Sequence, residues 1–275
     1  MPELPEVEVV VRALKSKMIN RVVTNISIFY ESIIGQRIIF EKILNKIFLD
    51  IYRKGKYLVF FLSDNLVLVG HLRMEGKINI EHVDACTTVD RHEHFRLFLD
   101  NDTVFRYYDF RKFGRFLLYN KHNYLSESKL DQLALDPFLI LAKDFYQRLQ
   151  KTNVMIKKVL LNQKFISGIG NIYASEVLFL SKIHPETPAC HLTLKQVELL
   201  LKKAQAILTE SISLGGTTVN TFESLGIKGL FQKKLLVYNK KKENCCFCQQ
   251  EIKKINIDGR SSYFCSFCQK YNSKE

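Results

Sequence analysis

The segment CCFCQQEIKKINIDGRSSYFCSFC, near the C-terminus, constrains this chain more than any other. It holds C-x-x-C twice, at Cys245/Cys248 and Cys265/Cys268, with sixteen residues between the pairs. Each C-x-x-C can close a tight knuckle presenting two thiolates, and this spacing suits a tetrahedral zinc site. The residues between can fold back as a hairpin: Ile252, Ile255 and Ile257 lead to the turn Asp258-Gly259, and Tyr263-Phe264 lead back. One structural zinc ion on Cys245, Cys248, Cys265 and Cys268 is therefore expected, with chance clustering of buried cysteines the weaker alternative. Cys246 does not fit the ligand pattern and reads as a spare thiol. The total of seven cysteines is odd, which in a reducing compartment argues against a disulfide framework.

Two regions of different texture precede this finger. Residues 20–120 carry short β-branched and aromatic runs punctuated by turn signals: TNISIF, KIFLDIY, KYLVFFL, LVLVGHL, KINIEH, HFRLFL, TVFRYY and GRFLLY. That spacing suggests a sandwich or barrel. From about Leu133 the patterns turn helical, in DQLALDPF, AKDFYQRLQ, VMIKKVLLNQ, NIYASEVLFLSKI and LTLKQVELLLKKAQAILTESI. The expected class is α+β and multidomain: a β-rich domain with an N-terminal helix over 1–132, a helical domain over 133–238, and the zinc finger over 239–275.

Charge narrows the partner. Lys and Arg number 41 against 28 acidic residues, a formal net charge of +13. Such an excess points to a polyanion, nucleic acid ahead of a membrane surface. The N-terminus is acidic, with no apolar signal core, and no run approaches the ~18 apolar residues of a spanning helix. The reading is a soluble intracellular protein.

The chain opens MPELPEVEVVVRALK. Val7, Val10, Val11 and Leu14 fall at helical spacing, so a helix runs from about Pro5. Proline suits its first position, and acidic residues in its first turn complement the helix dipole. That accounts for Pro5, Glu6 and Glu8 and leaves Pro2 and Glu3 unexplained. Further on, QKFISGIGNIYASEVLF sets Gly168 and Gly170 in a turn before a helix opened by Asn171. A helix N-terminus behind such a turn can bind phosphate, although an ordinary capped turn has the same appearance.

The motifs PELPEVE, GKYL, HLRMEG, DFRKFG, GIGNIYASE and GGTT, followed by the paired C-x-x-C, occur in this order along nearly the whole chain. Together they resemble the formamidopyrimidine-DNA glycosylases, bacterial enzymes that remove oxidised purines from DNA. The resemblance implies a β-sandwich N-terminal domain, a helix–two-turn–helix domain and a zinc finger, with duplex DNA lying across a basic cleft. It also implies a cytoplasmic monomer that joins the nucleoid when bound to DNA.

The same resemblance gives Pro2 a role. Removal of Met1 would leave a free secondary amine, and an α-amino group has a pKa near ~8, so part of it is neutral at cellular pH. Pro2 would attack C1′ of the damaged nucleotide and form a cationic iminium, from which β- and δ-elimination cut the strand. Glu3 is then the candidate acid–base group. Lys56 and Arg260 match residues that contact phosphate and assist elimination. Lys157 and Asn171 would also touch the DNA backbone, as would His71 and His92 or His94, although a lone histidine is more often structural. Met74, Arg111 and Phe113 match the wedge that fills the space left by the extruded base, with burial in the core as the alternative for Met74 and Phe113. Glu75 and the lid carrying Thr217 and Thr218 would line the lesion pocket. Glu6 is open between holding the N-terminus and a purely structural role, and Glu8 reads as a solvated helix residue.

Two positions depart from the pattern. Phe110 stands where relatives often have proline, which suggests a less rigid wedge loop, and Asn162 stands where an aspartate is typical. Two other functions compete. One is an endonuclease VIII-type glycosylase for oxidised pyrimidines, which PELPE and the intact wedge set disfavour. The other is a noncatalytic zinc protein that binds damaged DNA, which the Pro2-Glu3 pair disfavours.

Overall fold

The computed structural model describes residues 1–217, 225, 226 and 228–271. They form two compact units, 1–131 with 214–230, and 132–213 with 231–275.

In the first unit, helix α1 (Leu4–Met18) starts from Glu3 as its N-cap, and Pro5 lies in its first turn, where the missing N–H has no intrahelical partner to lose. Val7, Val10, Val11 and Leu14 are all buried, as their spacing predicts. Eight strands follow, one for each β-rich run: β1 (Val23–Ile28), β2 (Phe48–Lys54), β3 (Tyr57–Leu62), β4 (Leu66–His71), β5 (Lys77–His82), β6 (Glu93–Leu99), β7 (Thr103–Tyr108) and β8 (Arg115–Asn120). Two single-turn helices, α2 (Arg37–Phe40) and α3 (Tyr124–Glu127), complete the unit. The strands pair into two antiparallel sheets, ordered β1-β6-β7-β5 and β2-β3-β4-β8. Aromatic rings join the sheets: Phe95 meets Phe116 edge-on at 5.2 Å, and Phe60 meets Phe105 at 6.4 Å. This is a sandwich. Its core continues into α1 through Val7, Val10 and Leu14.

A buried ion network crosses the first of these sheets. Glu93 accepts from Arg96 and Arg106, each at 2.7 Å, and Arg106 also reaches Glu81 at 2.7 Å. Burial pushes the Glu93 carboxyl up, but hydrogen bonds from Arg106 and Arg96 outweigh it and hold the group at about 2. A depressed carboxyl contributes stability that is full above its ordinary pKa of 4.5 and is lost as pH falls toward 2. Glu93→Gln leaves two buried guanidiniums without their shared counter-charge and is expected to cost about 3–5 kcal/mol at neutral pH. It should also flatten the acid limb of the stability curve. Urea unfolding at pH 7 and pH 3 checks both effects.

The second unit contains α4 (Ala142–Leu149), α5 (Ile156–Leu161), α6 (Asn171–Leu180) and α7 (Leu194–Ser213), followed by the hairpin β9 (Ile252–Ile257) and β10 (Arg260–Cys265). DQLALDPF is not the helix its pattern suggests. Only Leu130–Gln132 forms a short 3₁₀ turn there. Pro137 disfavours a helical Asp136, whose carboxylate instead accepts from the Phe138 N–H at 3.0 Å. Residues Ile172–Phe179 of α6 are all buried, so this helix is the centre of the unit. Its Glu176 is fully buried and accepts from three successive backbone N–H groups, those of Leu236, Val237 and Tyr238, at 2.8, 3.0 and 2.7 Å. The approach to the finger is tied to α6 in this way. Among the described residues no helix is long and apolar enough to cross a membrane.

Candidate active site and metal centre

The amino-terminal end of α1 collects charged groups in a buried place. Pro2 and Glu3 are buried, and the Glu3 N–H donates to Glu6 Oε2 at 2.8 Å, forming a capping box. The other Glu6 oxygen accepts from Thr217 N at 2.8 Å and Thr217 Oγ1 at 2.9 Å. Glu6 thus fastens the segment after α7 to the start of the chain, which answers the question the sequence left open. Thr218 lies outside the described residues. Glu8 is more than a solvated residue: it accepts from Arg12 at 2.9 Å and from Arg53 at 3.1 Å, which ties α1 to β2.

Burial lowers the pKa of the terminal amine, here that of Met1. Glu3 and Glu6 oppose that shift, Lys56 reinforces it, and Glu75 opposes it again. Four of the residues singled out in the sequence therefore lie within electrostatic reach of this amine. Lys56 sits in the tight turn between β2 and β3 and is 6% exposed. An amine whose pKa is lowered by burial, within reach of carboxyl groups and a lysine, has what a nucleophile and its proton carriers need.

The segments carrying Met74 and Arg111–Phe113 also belong to the first unit. His71, at the end of β4, is buried and accepts from the Arg73 N–H through Nδ1 at 2.9 Å. Burial first, then Arg73 and Lys56, lower its pKa to about 3. Its ring is neutral at working pH, and with Nδ1 accepting, Nε2 carries the proton. Met74 and Phe113 are 40% and 50% exposed, so neither is a core residue. The Arg111 guanidinium lies 4.8 Å over the Phe113 ring. Asp109, which the sequence reading passed over, organises this loop: Oδ1 accepts from Arg111 N at 3.1 Å, and Oδ2 accepts from Gly114 N at 2.7 Å and from the Tyr107 hydroxyl at 3.3 Å. These bonds hold the loop although Phe110 replaces the usual proline. Phe110 is itself exposed, and its ring lies 4.8 Å from that of His92. His92 accepts from Arg91 at 2.8 Å. His94, expected from the sequence to touch the DNA backbone, lies inside the first unit. It is 1% exposed, with Nε2 2.7 Å from the Asp109 carbonyl oxygen, so it supports the loop from inside the sandwich.

Lys157 and Asn171, also singled out in the sequence, lie in the second unit. Lys157 is fully buried and donates to the Asn171 carbonyl at 3.1 Å and to Ser175 Oγ at 2.6 Å. Its charge is spent on the first turn of α6 rather than offered on the surface. Asn171 is the first residue of that helix and not its cap, which is Gly170. The Asn171 amide instead donates to the Ser261 carbonyl at 2.9 Å, linking α6 to the hairpin, and its Oδ1 is buried with no hydrogen-bond partner. Asn162 accepts from Lys164 N at 3.0 Å just after α5, a local turn bond with no reach beyond it. Arg260 is exposed beside the hairpin turn, where Asp258 and Gly259 both adopt positive φ (54° and 72°) as a two-residue turn requires.

The four paired cysteines converge. Their sulfur atoms all lie within 4.8 Å of one another, with Cys245 and Cys268 at 3.8 Å and Cys248 and Cys265 at 3.4 Å. A tetrahedron of thiolates at the ~2.3 Å zinc–sulfur distance has edges of about 3.8 Å, so the set fits such an ion. Cys246 is exposed and stands outside it. Gln269, another residue without a sequence signal, accepts from Cys265 N at 2.9 Å and donates to the Ile183 carbonyl at 2.8 Å, holding the second knuckle on the helical unit.

Residues 1–116 match the model of the formamidopyrimidine-DNA glycosylase N-terminal domain, and residues 133–223 match the H2TH domain of the same enzymes. The formamidopyrimidine-DNA glycosylase of Mycoplasma mobile is 40% identical over 99% of this chain and 100% of its own length. The chain belongs to the formamidopyrimidine-DNA glycosylase family. A solved structure of a Lactococcus lactis family member bound to DNA containing Fapy-dG superposes with a TM-score of 0.92 at 35% identity, covering 98% of this chain and 100% of that one. The wild-type Lactococcus lactis enzyme bound to DNA containing an oxidised pyrimidine superposes with a TM-score of 0.91, also at 35% identity and with the same coverage. Family membership accounts for the helices of the second unit as an H2TH domain. The family's N-terminal model spans Pro2, Glu3, Lys56, His71, Met74, Glu75, Arg111 and Phe113.

Proposed function

We propose that this chain is a bifunctional DNA glycosylase and lyase of base excision repair, which removes oxidised purines from duplex DNA with the amine of Pro2. The observation that carries the reading is the start of α1, where Pro2 and Glu3 are buried and the terminal amine lies within electrostatic reach of Glu3, Glu6, Lys56 and Glu75. Once Met1 is removed, the Pro2 nitrogen attacks C1′, the C1′–N bond to the base breaks, and the base leaves with a proton. Glu3 protonates the sugar oxygen as the ring opens. The secondary amine yields a cationic iminium, which acidifies C2′; loss of that proton expels the 3′ phosphate, and further elimination expels the 5′ phosphate. Lys56 and Arg260 bind phosphate and support the eliminations. Neutral His71 can donate through Nε2 to a phosphate oxygen. Glu75 and Thr217 line the lesion pocket.

Met74, Arg111 and Phe113 form the wedge that occupies the space of the extruded base, which is unstacked at a cost of a few kcal/mol. Their exposure supports this, because an exposed Met74 and an exposed Phe113 under the Arg111 guanidinium contribute nothing to the core. Zinc held by Cys245, Cys248, Cys265 and Cys268 is structural and fixes the hairpin that presents Arg260. The protein acts as a monomer, in the cytoplasm, where its DNA is.

The oxidised-pyrimidine reading has one observation behind it, the Lactococcus lactis complex with such a lesion. Single-turnover excision on 8-oxoguanine opposite cytosine, run beside thymine glycol, decides between them. We expect the purine to be released at least about tenfold faster, a difference worth roughly one polar contact in the pocket. Faster release of thymine glycol would make this an endonuclease VIII-type enzyme. Binding without release of either base would leave a noncatalytic DNA-binding protein.

A further inference from the structure

Tyr107 is a core residue with one feature the core does not need. It lies in β7, is fully buried, and its ring is held between Phe95 (stacked, 5.4 Å) and Phe116 (edge-on, 4.6 Å). Phenylalanine would fill that place equally well, and burying a hydroxyl costs stability unless it is bonded. The hydroxyl stands where two loops meet. It donates to Asp109 Oδ2 at 3.3 Å. A Cβ built on Gly114 would lie 1.7 Å from the Tyr107 oxygen, and one built on Gly76 would lie 2.5 Å from it. Gly114 thus leaves room that this oxygen fills, and at Gly76 the oxygen shares the room with the Leu72 carbonyl, also 2.5 Å from that Cβ. Gly76 closes the loop carrying Met74 and Glu75 through its N–H to the Leu72 carbonyl at 3.0 Å, and Gly114 follows Phe113 directly. Asp109 relays the contact, since it also accepts from Arg111 N and Gly114 N.

We propose that the Tyr107 hydroxyl is a pin that sets the Met74 loop and the Arg111–Phe113 loop in one register, making it a positioning residue for base extrusion. The proposal rests on the glycosylase reading above. Extrusion requires the wedge to hold its place against a stacked, paired base, whereas a preformed abasic site has no base to extract. Burial, with the Asp109 carboxylate, raises the Tyr107 pKa, so the hydroxyl remains a donor throughout the working pH range.

The test compares Tyr107→Phe with wild type in single-turnover reactions at saturating enzyme. Excision of 8-oxoguanine opposite cytosine should fall about tenfold, the rate equivalent of one buried hydrogen bond. Strand cleavage at a preformed abasic site should fall by less than about twofold, because the chemistry there does not need the wedge. A 2-aminopurine beside the lesion should report slower unstacking in the variant, a signal that a merely looser fold would not change. Asp109→Asn, which leaves the Tyr107 ring in place, should show the same bias between substrates. In the Tyr107→Phe background, Gly114→Ala should cost less than it does alone, since the added methyl no longer meets the oxygen. Equal losses on both substrates, or none on either, would overturn the pin while leaving the glycosylase reading intact. A wild-type protein that releases no base from either lesion would overturn the glycosylase reading and the pin with it.

Discussion

A protein that keeps any residue ahead of Pro2 should lose base excision and abasic-site cleavage by at least roughly 10³-fold, the scale expected when an activated nucleophile is removed. The reason is covalent. With Met1 attached, the Pro2 nitrogen is a tertiary amide whose lone pair is delocalised into the carbonyl. Freed, it is a secondary amine with an available lone pair at the buried start of α1. DNA affinity should change by less than about threefold, because phosphate contacts dominate binding. Glu3→Gln separates the two roles at this end of α1. It should lower 8-oxoguanine excision by about 10²–10⁴-fold, the usual contribution of a positioned acid–base group, with binding again preserved. Single-turnover rates beside filter-binding or anisotropy titrations measure both. A Glu3→Gln protein with a normal excision rate would remove Glu3 from the mechanism.

The second large effect concerns the metal centre. Cys265→Ser should eliminate the expected one zinc per chain, and binding a structural zinc supplies roughly 10–16 kcal/mol of folding free energy in small domains. Cys265 closes the set from β10, and its N–H is bound by Gln269, so losing this ligand releases the knuckle and the strand that begins with Arg260. DNA affinity should fall at least about tenfold, with a shallower salt dependence as phosphate contacts disappear. Cys246→Ser should leave the metal content unchanged. Elemental analysis of both purified variants checks this, and full zinc occupancy in Cys265→Ser would refute the ligand set.

The parts of this architecture that were legible in the sequence are those with a local period or a fixed spacing. The eight β-rich runs each became a strand because alternation and turn residues act over a few positions. The paired C-x-x-C converged because each knuckle is local and Asp258-Gly259 sets the hairpin register. The exposed Met74 and Phe113 could be singled out only by their place in motifs, since hydrophobicity alone would have buried them. What escaped the sequence was long-range pairing of polar groups. Asp109 and Tyr107 matter through an oxygen that meets backbone atoms of two loops, and Glu176 through three amides about sixty residues away. No period announces such contacts. The burial of Lys157 and His94 is hidden in the sequence for the matching reason. A lysine or histidine reads as a surface group until a buried acceptor is known, and here Ser175 Oγ and the Asp109 carbonyl are those acceptors.

The central claim is that the amine of Pro2 carries the chemistry, and adduct mapping tests it most directly. The protein would be incubated with duplex DNA containing 8-oxoguanine opposite cytosine in the presence of borohydride, which reduces an iminium to a stable amine. The trapped complex would then be digested and the cross-linked peptide sequenced by mass spectrometry. A one-to-one adduct on the peptide that begins at Pro2, with the mass of the reduced sugar on its terminal nitrogen, is the predicted result. An adduct on the side chain of Lys56, or no adduct while the base is still released, would contradict it.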